Sequence, residues 1–298
     1  WAVVARDDAT TAGGDAIEVH HAIYEVSITA TLECSTPIDT TGTFWTVPGT
    51  TVRLTLVMSP MADLHVITGL LPSKVIGMRR RIAENMAASK RHIPHFTYVE
   101  EIDVTQLEDM RADLNANRGA RPKLTLLPLL IVAICKALPD FPMINARFDD
   151  EAGVVTRHGA VHLGMATQTD AGLMVPVIRN AQSMNVWQLA SEIVRLAEAA
   201  RSGRAKSEEL SGSTLTVTSL GPLGGIATTP VINRPEVAII GPNRVIERPV
   251  IRNGEIVAAK LMNLSISCDH RVVDGLDAAR FIQAVRAGLE QPASLFID

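Results

Sequence analysis

Between Leu124 and Leu138 the chain runs through about fifteen residues interrupted only by Thr125 and Lys136 among apolar neighbours. A helix that is apolar all round has to be buried all round. A membrane span needs about twenty such residues, and this stretch is shorter, contains Pro128 and ends beside Asp140. It therefore predicts a core helix, opened by Thr125 and Pro128, since proline fits the first turn of a helix.

The segments around it alternate in period. Ser73 is positioned to cap a helix with Val75, Met78, Ile82 and Met86 on one face, and Ser183 to cap one with Val186, Leu189, Ile193, Leu196 and Ala200 inward, stopped by Gly203. Thr105–Asn115 reads as a short helix and Leu276–Leu289 as a last one. His95–Val104 alternates as a strand does, and Ala160–Thr167 and Leu173–Ile178 flank a turn at Asp170–Gly172. Thr214–Ser219, Val237–Ile240 and Leu261–Ser267 are β-branched, apolar strand candidates. Interleaved helices and strands imply an α/β fold, a mixed sheet flanked by helices.

The 298 residues are 47% hydrophobic and 20% charged, enough apolar material for a sizeable core and too much for wholesale disorder. Net charge is −4, which gives nucleic acid no basic surface to hold. Cys34, Cys135 and Cys268 are too few and too far apart for a disulfide framework, so a reducing compartment is expected. The histidines show no ligand spacing with cysteines or carboxylates, so no metal is expected. The first residue is Trp1 rather than Met, as in a fragment, and no secretory leader pattern opens the chain.

Composition changes near Pro72. Residues 1–73 contain no lysine and set Arg6 and Arg53 against eight acidic residues, with Ile17–Leu32 and Thr50–Val57 expected as strands. This segment is expected to be a β-rich module, an extended arm or a linker. Residues 74–298 form the second domain.

Two stretches carry chemistry. In Ser265-Ile-Ser-Cys-Asp-His-Arg-Val-Val-Asp-Gly275 a strand ends in polar residues just before a helix, and loops beyond strand ends are favoured catalytic positions. His270 can take and return a proton near neutral pH. Asp274 either braces the loop or simply caps the helix. In Leu215-Thr-Val-Thr-Ser-Leu-Gly-Pro-Leu-Gly-Gly225, Thr216, Thr218 and Ser219 put hydroxyls at a strand end ahead of a glycine-rich turn. One hydroxyl could donate to an oxyanion; the plainer reading is a strand with a tight turn. Cys268 is expected to be a buried thiol rather than a nucleophile.

Taken in order, Ile82-Ala-Glu-Asn-Met86, Ile93-Pro-His-Phe96, Lys123-Leu-Thr125, Phe141-Pro-Met-Ile-Asn-Ala146, Gly172-Leu-Met-Val-Pro-Val177, Thr218-Ser-Leu-Gly221, Pro230-Val-Ile-Asn-Arg-Pro-Glu-Val-Ala238 and His270-Arg-Val-Val-Asp-Gly275 resemble the catalytic domain of the dihydrolipoamide acyltransferases. These are the E2 components of 2-oxo acid dehydrogenase complexes. The resemblance implies a chloramphenicol acetyltransferase-like fold that forms trimers. It also implies acyl transfer between dihydrolipoamide and coenzyme A, with His270 as base, Thr218 as oxyanion donor and Asp274 as organiser.

In that family the site lies between subunits, which implies that His270 and Thr218 act from different chains. Coenzyme A contacts carry over to Arg111, Thr125, Gln168 and Ser219, although Gln168 stands where close branched-chain relatives are expected to have an acid. Gly224–Ile232 and Asn243–Pro249 resemble branched-chain members most, with acetyl-transferring enzymes and an inactive scaffold subunit as alternatives. The apolar tail Leu295–Ile297 resembles tails that join trimers into a larger cubic core, here expected to be a 24-mer. The resemblance further implies E1 dehydrogenase and E3 dihydrolipoyl dehydrogenase as partners, without nucleic acid or membrane, in bacterial cytoplasm or mitochondrial matrix. With no lysine, residues 1–73 hold no lipoylation site.

Overall fold

The structure, a computed structural model, describes residues 74–170 and 172–297 together with two earlier strands, β1 (Glu25–Thr31) and β2 (Thr51–Val57). The chain divides into two compact units, residues 1–73 and 74–298. In the first, β1 and β2 form an antiparallel ladder from Glu25 opposite Val57 to Thr31 opposite Thr51. Both fall within the stretches expected to be extended; the remainder of those stretches, and Ser73, lie outside the described residues.

The second unit alternates helix and strand as its periodicities predict. It contains α1 (Gly77–His92), β3 (His95–Asp103), α2 (Thr105–Ala116) and α3 (Leu126–Ala137). Next come β4 (Ala146–Asp149), β5 (Val154–Arg157), β6 (Leu163–Met165), β7 (Thr167–Thr169), β8 (Gly172–Met174) and β9 (Val177–Ile178). The order ends with α4 (Val186–Arg201), β10 (Leu215–Val217), β11 (Ala238–Arg252), β12 (Glu255–Asp269) and α5 (Gly275–Glu290). Six strands make one sheet in the order β3-β12-β11-β10-β6-β9. β10 runs parallel to β11 and β6, and the other pairs are antiparallel, so the sheet is mixed.

The apolar run is the core helix. In α3, Leu129, Leu130 and Ile134 are fully buried, and α3 packs against α5 and α4. A side chain at Gly288 of α5 would come within 3.2 Å of Leu295, so glycine there lets the C-terminal turn pack closely on the helix. On the sheet, Leu215, Thr216 and Val217 are all buried, as expected of a central strand covered on both faces.

Several boundaries differ from expectation, each for a local reason. α4 is capped by Asn185, not Ser183. The Asn185 side chain accepts from the N–H groups of Trp187 and Gln188, both at 3.0 Å, while Gln188 accepts from the Asn185 N–H at 2.9 Å. That reciprocal box satisfies orphan donors on both sides, and Ser183 donates instead to Asn180 O. α1 begins at Gly77, with no side-chain cap, and Val75 and Met78 remain exposed. The strand expected from Ala160 shortens because Gln182 and Thr214 side chains take the N–H groups of Val161 and His162. Pro176, lacking an N–H, separates β8 from β9. The strands expected at Val237–Ile240 and Leu261–Ser267 are the inner halves of two 15-residue strands. Asn253 (φ 52°) and Gly254 (φ 86°) join them, the positive pair that a tight hairpin turn requires.

Candidate active site

β12 delivers His270. The strand ends at Asp269, whose side chain is 1% exposed and whose carbonyl accepts the N–H groups of Val272 and Val273. Val273 is fully buried and α5 starts at Gly275. The loop is thus pinned at both ends, and His270 is turned outward between the pins. Its N–H donates to Pro94 O at 3.1 Å, and its ring leans on Phe96 with centroids 4.5 Å apart. The side chain is 52% exposed, open to a substrate on one side.

Asp274 occupies the N-cap position of α5, yet its side chain makes no cap hydrogen bond. The capping reading therefore describes its backbone only. Its carboxylate is exposed, with Oδ1 3.9 Å from Nδ1 of His270. That is beyond hydrogen-bond length.

Cys268 is buried, and burial pushes its thiol up to about 12, so at neutral pH it stays protonated and inert. His95, opposite Asp269 in the ladder, is held neutral in one tautomer: Nδ1 donates to Ile93 O at 2.9 Å and Nε2 accepts from the Ile232 N–H at 3.0 Å. Burial holds its pKa below the ordinary value. The start of β3 and the preceding Pro94, whose carbonyl accepts the His270 N–H, are thereby held in place.

Thr218 lies elsewhere. It follows β10, where Val217 pairs with Ile240 and Ile240 with Ile266, so the ladder aligns Thr218 through Gly241 with Ser265. Two strand spacings of about 4.8 Å and five residues of about 3.3 Å separate it from His270, about 19 Å between α-carbons. A histidine, a threonine and a thioester carbonyl cannot span that. Within one chain Thr218 stands beside the middle of β12 and His270 beyond its end.

Gln168 and Ser219 share the Thr218 end. Ala166 donates to Val217 O at 3.0 Å, so β7, carrying Gln168, leaves β6 beside the end of β10. Gln168 borders a polar cavity of about 430 Å³ with Thr169, Asp170 and Arg201. Ser219 accepts the Gly221 N–H at 3.2 Å, shaping the glycine turn. Asn243, on β11 at this end, was not anticipated. Its Nδ2 donates to Asn263 O at 2.9 Å and to Ser265 Oγ at 3.0 Å, leaving the buried Oδ1 without a partner. An amide inside an apolar strand was the available signal.

Arg111 and Thr125 form a third group. Arg111 grips Glu108 through Nε (2.8 Å) and Nη2 (2.5 Å) and reaches Leu124 O (3.2 Å), next to Thr125 at the α3 N-cap. Its guanidinium is therefore already paired with a carboxylate. Among the described residues no group of three His, Cys, Asp or Glu side chains could hold a metal, and no helix is long and apolar enough to cross a membrane.

Helices thus flank a mixed sheet that carries an exposed histidine just beyond β12 and a hydroxyl-bearing loop after β10. The chain belongs to the 2-oxoacid dehydrogenases acyltransferase (catalytic domain) family, whose model matches residues 72–297. It is 65% identical over 225 residues to the lipoamide acyltransferase component of the branched-chain alpha-keto acid dehydrogenase complex of Pseudomonas aeruginosa, covering 75% of this chain and 53% of that protein. The chain thus spans about half the length of the curated relatives it matches.

Among solved structures, the Azotobacter vinelandii dihydrolipoamide acetyltransferase superposes with a TM-score of 0.73 at 33% identity, covering 81% of this chain and all of that one. The cubic core of a pyruvate dehydrogenase multienzyme complex does so with a TM-score of 0.73 at 34% identity, with the same coverage. The Azotobacter work concerned a serine, a histidine and an asparagine in the catalytic mechanism, in the order and at the spacing of Thr218, His270 and Asp274 here. The α/β fold expected from the sequence is the one observed.

Proposed function

We propose that residues 74–298 are the catalytic core of a dihydrolipoamide acyltransferase. It moves a branched-chain acyl group between dihydrolipoamide and coenzyme A as the core of a 2-oxo acid dehydrogenase complex. One observation carries the reading: an exposed histidine on a pinned strand-end loop, about 19 Å by ladder geometry from the hydroxyl it needs. Such a chain works when a second copy brings its Thr218 to the first copy's His270.

A thiol near neutral pH is mostly protonated and needs a base. His270 takes the proton of the attacking thiol. The thiolate adds to the thioester carbon, forming a C–S bond and a tetrahedral oxyanion that accepts a hydrogen bond from the Thr218 hydroxyl. Collapse breaks the original C–S bond, and the departing thiolate recovers the proton from His270. Asp274 steadies the imidazolium without moving a proton. Gln168 and Ser219, which share the Thr218 end, are the better supported contacts for coenzyme A. Arg111 and Thr125 would approach it from the α2–α3 corner, with Arg111 sharing its charge with Glu108.

Coenzyme A and dihydrolipoamide are substrates, and the lipoyl arm comes from outside residues 1–73. We assign this core to homotrimers assembled into a larger particle, a 24-mer, serving E1 and E3 enzymes in bacterial cytoplasm or mitochondrial matrix. Residues 1–73 are a separate segment.

The test is coenzyme A-dependent acyl transfer to free dihydrolipoamide with isobutyryl, acetyl and succinyl donors. The branched-chain reading expects isobutyryl to be fastest. An acetyl preference would instead make this the core of an acetyl-transferring complex, a reading that the Azotobacter likeness favours. No transfer from any donor by an assembled particle would leave a structural scaffold.

A further inference from the structure

The motif residue next to His270 is bound into a chain of alternating charges. Arg271 closes a fork on Asp269: Nε lies 2.9 and 3.2 Å from the two carboxylate oxygens, Nη2 lies 2.6 Å from Oδ2, and the Arg271 backbone N–H adds a bond of 3.0 Å. Its remaining nitrogen, Nη1, donates to Asp150 at 2.6 Å. The other Asp150 oxygen accepts from Arg234 at 2.8 Å. The Arg271 guanidinium stands 4.6 Å from the Phe148 ring centroid.

The sequence Arg234–Asp150–Arg271–Asp269 therefore joins three segments, one of them carrying the two residues on either side of His270. These are the β4–β5 turn, the loop before β11 and the end of β12. Asp269 is 1% exposed, and a buried carboxylate holds its position only when it is fully paired. Arginine suits this place because its planar fork takes two oxygens at once and still has a nitrogen for Asp150.

We propose that Arg271 and Asp150 are positioning residues for the base. The clamp holds the backbone of residues 269–271 so that the His270 ring rests on Phe96 and faces the substrate. A catalytic group held loosely loses rate without losing substrate affinity, because productive geometry is narrow. The inference rests on the acyltransferase reading.

The experiment measures kcat and KM for coenzyme A and dihydrolipoamide, with thermal unfolding, on the full chain carrying Arg271→Lys, Asp150→Asn or both. Arg271→Lys keeps the charge beside Asp269 and loses the fork. Asp150→Asn keeps the fork and cuts only the outer link, so it spares the fold. The expected result is a fall in kcat of about tenfold or more for Arg271→Lys and a smaller fall for Asp150→Asn. KM should stay within about twofold and the assembled particle should persist. The double variant should be no slower than Arg271→Lys alone, because both changes cut one clamp. Unchanged kcat with a lowered unfolding temperature would make the clamp merely structural, and a raised KM at unchanged kcat would make it a binding feature; either overturns the proposal. A wild-type chain that transfers no acyl group would instead overturn the acyltransferase reading itself.

Discussion

At the scale of single residues, His95 shows how a side chain outside the chemistry supports it. Its Nε2 accepts from the Ile232 N–H, and the Ser89 hydroxyl donates to Ile232 O at 2.7 Å, so both polar groups of a buried residue depend on these two partners. Protonated His95 would turn an N–H toward an N–H. Burial, with Lys90 nearby, holds its pKa below the ordinary 6.5, against the pull of Ile93 O and Asp269. His158 and His162 are lowered too, chiefly by burial and with Arg147 nearby. A histidine lowered in the folded state binds its proton more readily when unfolded. Its stabilisation is therefore complete above the ordinary value and is lost as pH falls through the folded one. The unfolding temperature should drop as pH falls below the ordinary histidine value of 6.5, and His95→Gln should make the drop smaller. Equal slopes for the two proteins would remove His95 from the effect. His270 and Thr218 could be nominated from the sequence because each sits in a contiguous motif. Arg271 in its clamp was not, because Asp150 lies 121 residues away and no local pattern encodes that pairing.

At the scale of elements, periodicity found nearly every helix and inner strand, and errors fell where side chains compete for backbone groups. Asn185 with Gln188 at the third helical position was a readable capping box that Ser183 obscured. Asn253-Gly254 was a readable hairpin turn, but the charged outer arms of β11 and β12 masked the strand pattern. What no pattern could supply is the closeness of β6 to β10. A side chain at Gly164 would meet Thr216 Oγ1 at 2.7 Å and Val175 Cγ1 at 2.9 Å, so the parallel pairing beneath Thr218 depends on its absence. Gly164→Ala should destabilise the domain by about 1–3 kcal/mol through overpacking. Urea unfolding reads this as a lower midpoint at an unchanged slope; a midpoint equal to wild type would show that the strands can move apart freely.

At the scale of the whole molecule, the sheet decides the account. In the proposed function His270, beyond the end of β12, is the base and Thr218, aligned with the middle of that strand, is the hydroxyl donor, so a single chain cannot bring both to one site. Symmetric association lets one copy supply what the next lacks. The family resemblance implied that the two residues act from different chains, but the residue pattern alone could not say that they stand apart, because strand register is a property of the folded ladder. The most direct measurement co-assembles chains bearing His270→Ala with chains bearing Thr218→Val and assays acyl transfer to coenzyme A. Alone, the first should be nearly inactive, and the second slowed about a hundred- to a thousandfold. Mixed in equal amounts, roughly a quarter of the sites pair an intact His270 from one chain with an intact Thr218 from another. Activity should return to about that share of wild type. Activity no greater than the sum of the two separate variants, in particles verified to be mixed, would contradict a site built from two chains.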